Sequence, residues 1–127
     1  MMKIQVNGTV APVTCLEQLG AILDECDLAP EFELWLSADP FPSMCMLRHG
    51  EYAWLMHMRS EDDWAHSLGR HAGNASCTFR LANGQRNAYP LSWCIDVEQC
   101  YKVIAYFYVN QGAAPAWIEW SERPADA

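Results

Sequence analysis

Residues 3–7 (Lys-Ile-Gln-Val-Asn) alternate polar and apolar and predict a short strand closed by Gly8. Thr14 with Glu17 three positions on is a capping-box signature, so Thr14 is expected to open a helix. Leu16, Leu19, Ile22, Leu23 and Cys26 then fall on one face at helical spacing, and residues 27–30 end the segment. Phe32, Leu34 and Leu36 alternate with Glu31, Glu33 and Trp35, the period-two pattern of a half-buried strand. Residues 44–47 and 52–58 read as two more strands, with Arg48-His49-Gly50-Glu51 as the hairpin turn between them. Residues 60–74 show no period and predict the longest loop, a kind of segment that often carries function. Residues 76–81 alternate again and stop at the Asn83-Gly84 turn signal; Tyr89-Pro90 opens a connection to Ile95. Asp96 with Gln99 is a second capping signature, followed by the stripe Val97, Cys100, Tyr101, Ile104, Phe107 and Tyr108. Gly112 suits the left-handed position past a helix end, with Pro115 behind it. Residues 116–120 predict a last strand and 121–127 a loose tail.

The order is strand, helix, four strands, helix, strand. Short turns between the middle strands make them antiparallel. The expected fold is α+β: a two-layer domain with a mainly antiparallel sheet of about five to six strands and two amphipathic helices on one face. A chain of 127 residues, 51% apolar and 19% charged, supports one domain with a real core, placed over residues 1–120. No apolar run approaches the ~18 residues of a membrane span. The start of the chain turns polar too early for a secretory leader, and neither end carries a lipidation box. A cytoplasmic protein with no membrane partner is expected.

Charge narrows the function classes. Sixteen acids against eight bases give a net charge of −8, which a duplex repels and a basic protein partner attracts. Direct nucleic-acid binding is therefore not expected. The six cysteines (15, 26, 45, 77, 94, 100) form no Cys-x-x-Cys pair and no zinc-finger spacing. They read as buried free thiols. Phosphate loops, nucleophile elbows and deaminase signatures are missing from the sequence. Histidines 49, 57, 66 and 71 crowd one stretch, and His66, His71 and the acids of 61–63 are the only material for a metal site. Loop histidines facing water are the simpler expectation. Cys77 and Cys94 are weak nucleophile candidates in so electronegative a chain. No catalytic residue, cofactor or metal is expected, and the chain is read as not an enzyme.

The acids are more informative. Asp24, Glu25, Asp27, Glu31 and Glu33 place five acids within ten residues. Glu61-Asp62-Asp63 runs directly into Trp64, and Glu119, Glu122 and Asp126 gather near Trp117 and Trp120. Aromatics supply buried area at an interface and acids steer a basic partner onto it. Glu61, Asp62, Asp63 and Trp64 are the first candidates for partner contact; Glu31, Glu33 and Trp35 are the second. Exposed aromatics leave room for a homodimer without demanding one.

From Ile95 the chain runs through an amphipathic helix ending in aromatics, then Gly, two residues, Pro and an Ile-x-Trp strand. Over residues 89–120, and in element order over 32–58, it resembles the first-numbered (Imm-one type) immunity-protein family of bacterial polymorphic toxin systems. The positions that carry the resemblance are Phe107, Gly112, Pro115, Ile118 and Trp120. Many members enter the last helix with a Pro where Asp96 stands here. The resemblance implies a non-enzymatic antitoxin. It would bind a cognate toxin domain, often a nucleic-acid deaminase or nuclease with a basic cleft, and occlude its active site in contact-dependent competition between bacteria. The five motif positions would serve the fold rather than touch the toxin. An acidic adaptor unrelated to toxins, and a small metal- or thiol-dependent enzyme, are the alternatives.

Overall fold

A computed structural model of the chain describes residues 2–38 and 40–122. Two short strands, β1 (Met2–Val6) and β2 (Thr9–Val13), lead into helix α1 (Leu16–Cys26). Strands β3 (Glu31–Ser37), β4 (Ser43–His49), β5 (Tyr52–Ser60) and β6 (Asp63–Ser67) follow. A hairpin of β7 (Ser76–Arg80) and β8 (Arg86–Pro90), a 3₁₀ turn (Leu91–Trp93), helix α2 (Val97–Val109) and β9 (Trp120–Glu122) complete the described residues. Seven strands pair antiparallel in the order β2-β1-β3-β4-β5-β6-β9, and β7-β8 forms a separate pair.

The α+β class with both helices on one face is observed. Phe32, Leu34 and Leu36 of β3, Met44 and Met46 of β4 and Leu55 of β5 bury against Leu19 and Leu23 of α1. Cys100, Val103, Ile104 and Phe107 of α2 close the same core. The β3 alternation explains this directly: its three apolar residues point to the helices, and Glu31, Glu33 and Trp35 point to the opposite face. On that face the β7-β8 hairpin brings Phe79 and Tyr89 over Leu47 and Trp54.

The sheet is wider than the sequence predicts. Strand β2 is missing from the expected order because Pro12 argues against a strand; β2 lies at the sheet edge, where a proline's missing N–H costs no ladder bond. Strand β8 has no counterpart in the expected order, which assigns no element to residues 85–88 and starts a connection at Tyr89-Pro90; it pairs with β7 around the Asn83-Gly84 turn. The first helix starts at Leu16 with Cys15, not Thr14, at its N-cap, and no side chain caps it. The Thr14 N–H and hydroxyl both donate to Gln18 Oε1, so the reciprocal bond is made one residue later than the Thr14–Glu17 spacing implies. Asp96 does hold the N-cap of α2, without a side-chain bond. Residues 116–119 are irregular; the last strand is β9, and it takes Ser121 and Glu122 from the expected tail. Residues 123–127 lie outside the described residues.

Helix α2 ends as the motif predicts, with one substitution of roles. Gln111 (φ 56°) takes the first left-handed position and Gly112 (φ 94°) the second. The Gly112 N–H donates to the Phe107 carbonyl at 2.8 Å, the long-range bond of a Schellman end. Gly112 then packs on Pro42 so closely that an added Cβ would lie 2.2 Å from its Cγ. Its carbonyl meets His57 Nε2 at 2.9 Å. Pro115 and Ile118 are buried, and the half-buried Trp120 donates its indole N–H to the Pro115 carbonyl at 3.0 Å. The positions Phe107, Gly112, Pro115, Ile118 and Trp120 therefore build one corner of the fold. Among the described residues no helix is long and apolar enough to cross a membrane.

Candidate functional site

The stretch expected as a long loop contains strand β6. Its alternation is hidden because both faces are covered at its end and two of the buried residues are polar: Ala65, His66 and Ser67 are all buried. His66 lies flat on Trp93, with ring centroids 3.8 Å apart and planes 19° from parallel. The Ser67 hydroxyl donates to the Trp93 carbonyl at 2.7 Å and accepts the Leu55 N–H at 2.9 Å. These bonds satisfy a polar side chain that would otherwise oppose burial.

The strand places Trp64 on the sheet rather than in a loop. Register links Trp35, Cys45, Met56 and His66 across β3 to β6, and one row further along links Ser37, Ser43, Met58 and Trp64. All face away from the helices. The hairpin and the 3₁₀ turn cover only part of this face, and Trp35, Met56, Met58 and Trp64 remain half-buried. Trp35 and Trp64 stand three strands and one row apart, about 16 Å at ~4.8 Å per strand and ~3.3 Å per residue, with the two methionines between them. Two aromatics that the sequence places in separate groups thus share one face. The methionines were missed because their exposure depends on pairing partners far away in sequence.

The acids divide into two kinds. Glu61 and Asp62 are exposed at the β5–β6 turn, beside Trp64. Asp63 belongs to the fold: its carboxylate accepts from Arg59 Nε and Nη2 at 2.9 and 2.6 Å, and the same guanidinium reaches Glu122. Those bonds hold the Asp63 carboxyl below its usual range. Glu31 is also committed. It meets His49 Nδ1 at 2.6 Å and lies 3.6 and 3.9 Å from Arg80 and Arg86 of the hairpin. The His49 bond is the main reason its carboxyl sits low. Glu33 accepts the Trp35 indole N–H at 3.3 Å. Asp27, from the same acidic run, holds Arg48 and accepts from the Tyr101 hydroxyl at 3.1 Å. Of the sequence candidates, Glu61 and Asp62 are exposed and outside ion pairs among the described residues, Trp35 and Trp64 are half-buried on the sheet face, and Glu33 is bonded behind Trp35.

The C-terminal group also divides. Glu122 is held by Arg59, and Asp126 lies outside the described residues. Trp117 is 53% exposed, and with Glu119 it lines a groove of about 910 Å³ at the far end of β6.

The expectation that the histidines face water fails for two of the four. His66 is buried as described, and His57 is buried against Gly112. His71 stands edge-on to Tyr52 at 6.1 Å. His66, His71 and the 61–63 acids are not brought together. Among the described residues no group of three or more His, Cys, Asp or Glu is arranged to hold a metal ion. The thiols differ in burial: Cys45, Cys94 and Cys100 are buried, Cys26 and Cys77 half-buried, and Cys15 exposed. Burial pushes the Cys94 thiol up to about 11 and raises Cys77 as well, the reverse of what a nucleophile needs.

Burial of His57 has a consequence for stability. Desolvation lowers its pKa more than the Gly112 bond and the carboxylates of Asp63 and Glu122 raise it, and Arg59 adds to the lowering. The unfolded chain, with His near 6.5, therefore binds the proton first. The stabilising effect is complete above about pH 6.5 and is lost as pH falls below it toward the lowered folded value. Melting temperature is expected to decline between pH 7 and 5, and His57→Gln should remove most of that slope. A second fall belongs below about pH 4.5, where the lowered carboxyls of Asp27, Glu31 and Asp63 take up protons. Thermal melts across pH 2–8 check both windows, and a wild-type curve flat from 7 to 5 would contradict the His57 assignment.

No protein-family model matches the chain, and no curated protein matches it.

Proposed function

We propose that this chain is an immunity protein that binds and neutralises a cognate bacterial toxin domain in the cytoplasm of the producing cell. The observation that carries the reading is the half-covered sheet face. Trp35, Met56, Met58 and Trp64 lie on it together, with the exposed Glu61 and Asp62 at its edge. Aromatic and methionine side chains are the residues that interface cores favour, and acids outside internal ion pairs are the ones free to steer a basic surface. A toxin acting on nucleic acid needs a basic cleft, and a protein with a net charge of −8 is its electrostatic complement. The resemblance of residues 89–120 to the Imm-one type family supports the same role. The test is to mix the purified chain with the C-terminal domain of the protein encoded immediately upstream, the candidate toxin. A one-to-one complex and loss of the toxin's activity are expected. A toxin that stays active in excess of this chain would overturn the reading.

The division among the acids makes a sharper expectation than reversing all three of 61–63. Glu61→Lys with Asp62→Lys should slow association about tenfold at low salt and leave the melting temperature in place. Asp63→Lys should instead loosen the β5-β6-β9 edge by freeing Arg59 and Glu122. Stopped-flow association at two salt concentrations reads the first effect. An association rate unchanged by the double reversal removes Glu61 and Asp62 from the encounter surface.

A further inference from the structure

A second surface lies at the opposite end of β6 from Trp64. The β4–β5 turn, residues 68–71, the start of α2 and residues 117–119 enclose the groove of about 910 Å³. Its wall is firm. The Gly69 N–H donates to the Ser92 carbonyl at 2.7 Å, and an added Cβ at Gly69 would lie 1.7 Å from the Cys94 carbonyl oxygen, so backbone packs directly on backbone.

Trp117 is the unexplained feature of this groove. It is more than half exposed, so the core does not account for it. Yet it is held in one orientation: its indole N–H donates to Gln99 Oε1 at 3.1 Å, and its ring meets Tyr106 edge-on at 5.1 Å. An immobilised, solvent-facing indole loses little entropy on binding, which is how aromatic anchors gain affinity. Three chain segments that are distant in sequence each deliver an acidic residue to the lining of the same groove: Glu51, Asp96 and Glu119. None of the three makes an ion pair with a described residue. Against them stand one guanidinium, Arg70, and the His71 imidazole. The groove therefore combines an aromatic face with an excess of negative charge, the environment in which a guanidinium or ammonium gains both cation–π and ionic attraction.

We infer that this groove receives an arginine- or lysine-bearing loop of a protein partner, with the cationic side chain lying on Trp117 among Glu51, Asp96 and Glu119. The partner is a protein because the same negative field repels nucleic acid. Arginine suits the site better than lysine, since its planar head stacks on an indole and forks to a carboxylate at once. The inference rests on the toxin reading only for which protein supplies the loop.

Its test needs no toxin. Hexa-arginine amide is titrated into the full chain while the indole N–H resonances are followed by NMR, with hexaglutamate as the comparison. Saturable shifts of the Trp117 indole and Gln99 side-chain signals are expected with hexa-arginine and not with hexaglutamate. Glu119→Lys should raise the half-saturation concentration about tenfold, and Trp117→Ala should weaken binding similarly. Glu61→Lys with Asp62→Lys, at the other end of β6, should leave it unchanged. Shifts confined to other residues would overturn the inference. So would shifts abolished by the 61–62 reversal but insensitive to Glu119→Lys. Because Glu119 is exposed and unpaired among the described residues, its variant retains the fold even if Trp117→Ala does not.

Discussion

Gly112→Ala should be among the most destabilising single methyl additions in this protein. Two costs combine at that position. An alanine would have to hold φ near 94°, a region that L side chains rarely adopt. Its Cβ would also lie 2.2 Å from Pro42 Cγ, so the helix end and the β3–β4 connection must move apart. That movement would pull the Gly112 carbonyl from His57. A loss of about 3–5 kcal/mol is expected from the two terms together, a fall of roughly 10–20 °C in melting temperature for a domain of this size. Two other glycines separate the terms. Gly84→Ala carries the positive φ with nothing within 4 Å, and should cost about 1 kcal/mol. Gly69→Ala carries the overlap without the positive φ and should approach Gly112→Ala in effect. Thermal melts of the three variants check this order. A Gly112→Ala protein as stable as Gly84→Ala would show that Pro42 yields without cost.

Trp64→Ala should cost little stability and much binding. Trp64 is half-buried on the sheet face, next to Met58 and the Glu61-Asp62 turn. Aromatic anchors at the centre of an interface are worth about 2 kcal/mol or more on truncation, at least thirtyfold in Kd. Trp35→Ala should behave alike in binding and cost more stability, because Trp35 also packs on the aromatic layer beneath the hairpin. The double variant should weaken the complex by about a hundredfold to a thousandfold, short of a strict sum. Titration calorimetry with the toxin domain reads the loss. Full affinity in the double variant would move the interface elsewhere on the molecule, and the Trp117 groove is the first place to look.

What the sequence foretold follows from the range of the interactions involved. The β3 period, the α2 stripe and the Gly–Pro–Trp corner are local patterns, and each appears where the spacing predicts. Strand β6 escaped because both of its faces are buried near its end and two of the residues there are the polar His66 and Ser67, which pack there through Trp93, a residue 26 positions beyond Ser67. The acids at 61–63 look alike in sequence, yet Asp63 is taken by Arg59 and its two neighbours are not. Glu31 is held by His49 and faces two arginines of a hairpin whose second strand the sequence did not reveal. Pairing partners, rather than residue types, separate structural acids from available ones. The same holds for the aromatics: only the strand register shows that Trp35 and Trp64 share a face and that Trp117 stands apart from both.

The decisive measurement is a survival count. The C-terminal domain of the open reading frame immediately upstream, the candidate toxin, is expressed in a naive host alone, with the wild-type chain, and with the Trp35→Ala/Trp64→Ala variant. Death alone, rescue by the wild-type chain and failed rescue by the folded variant are the expected results. A toxic domain that kills equally with and without the wild-type chain would contradict the immunity function itself.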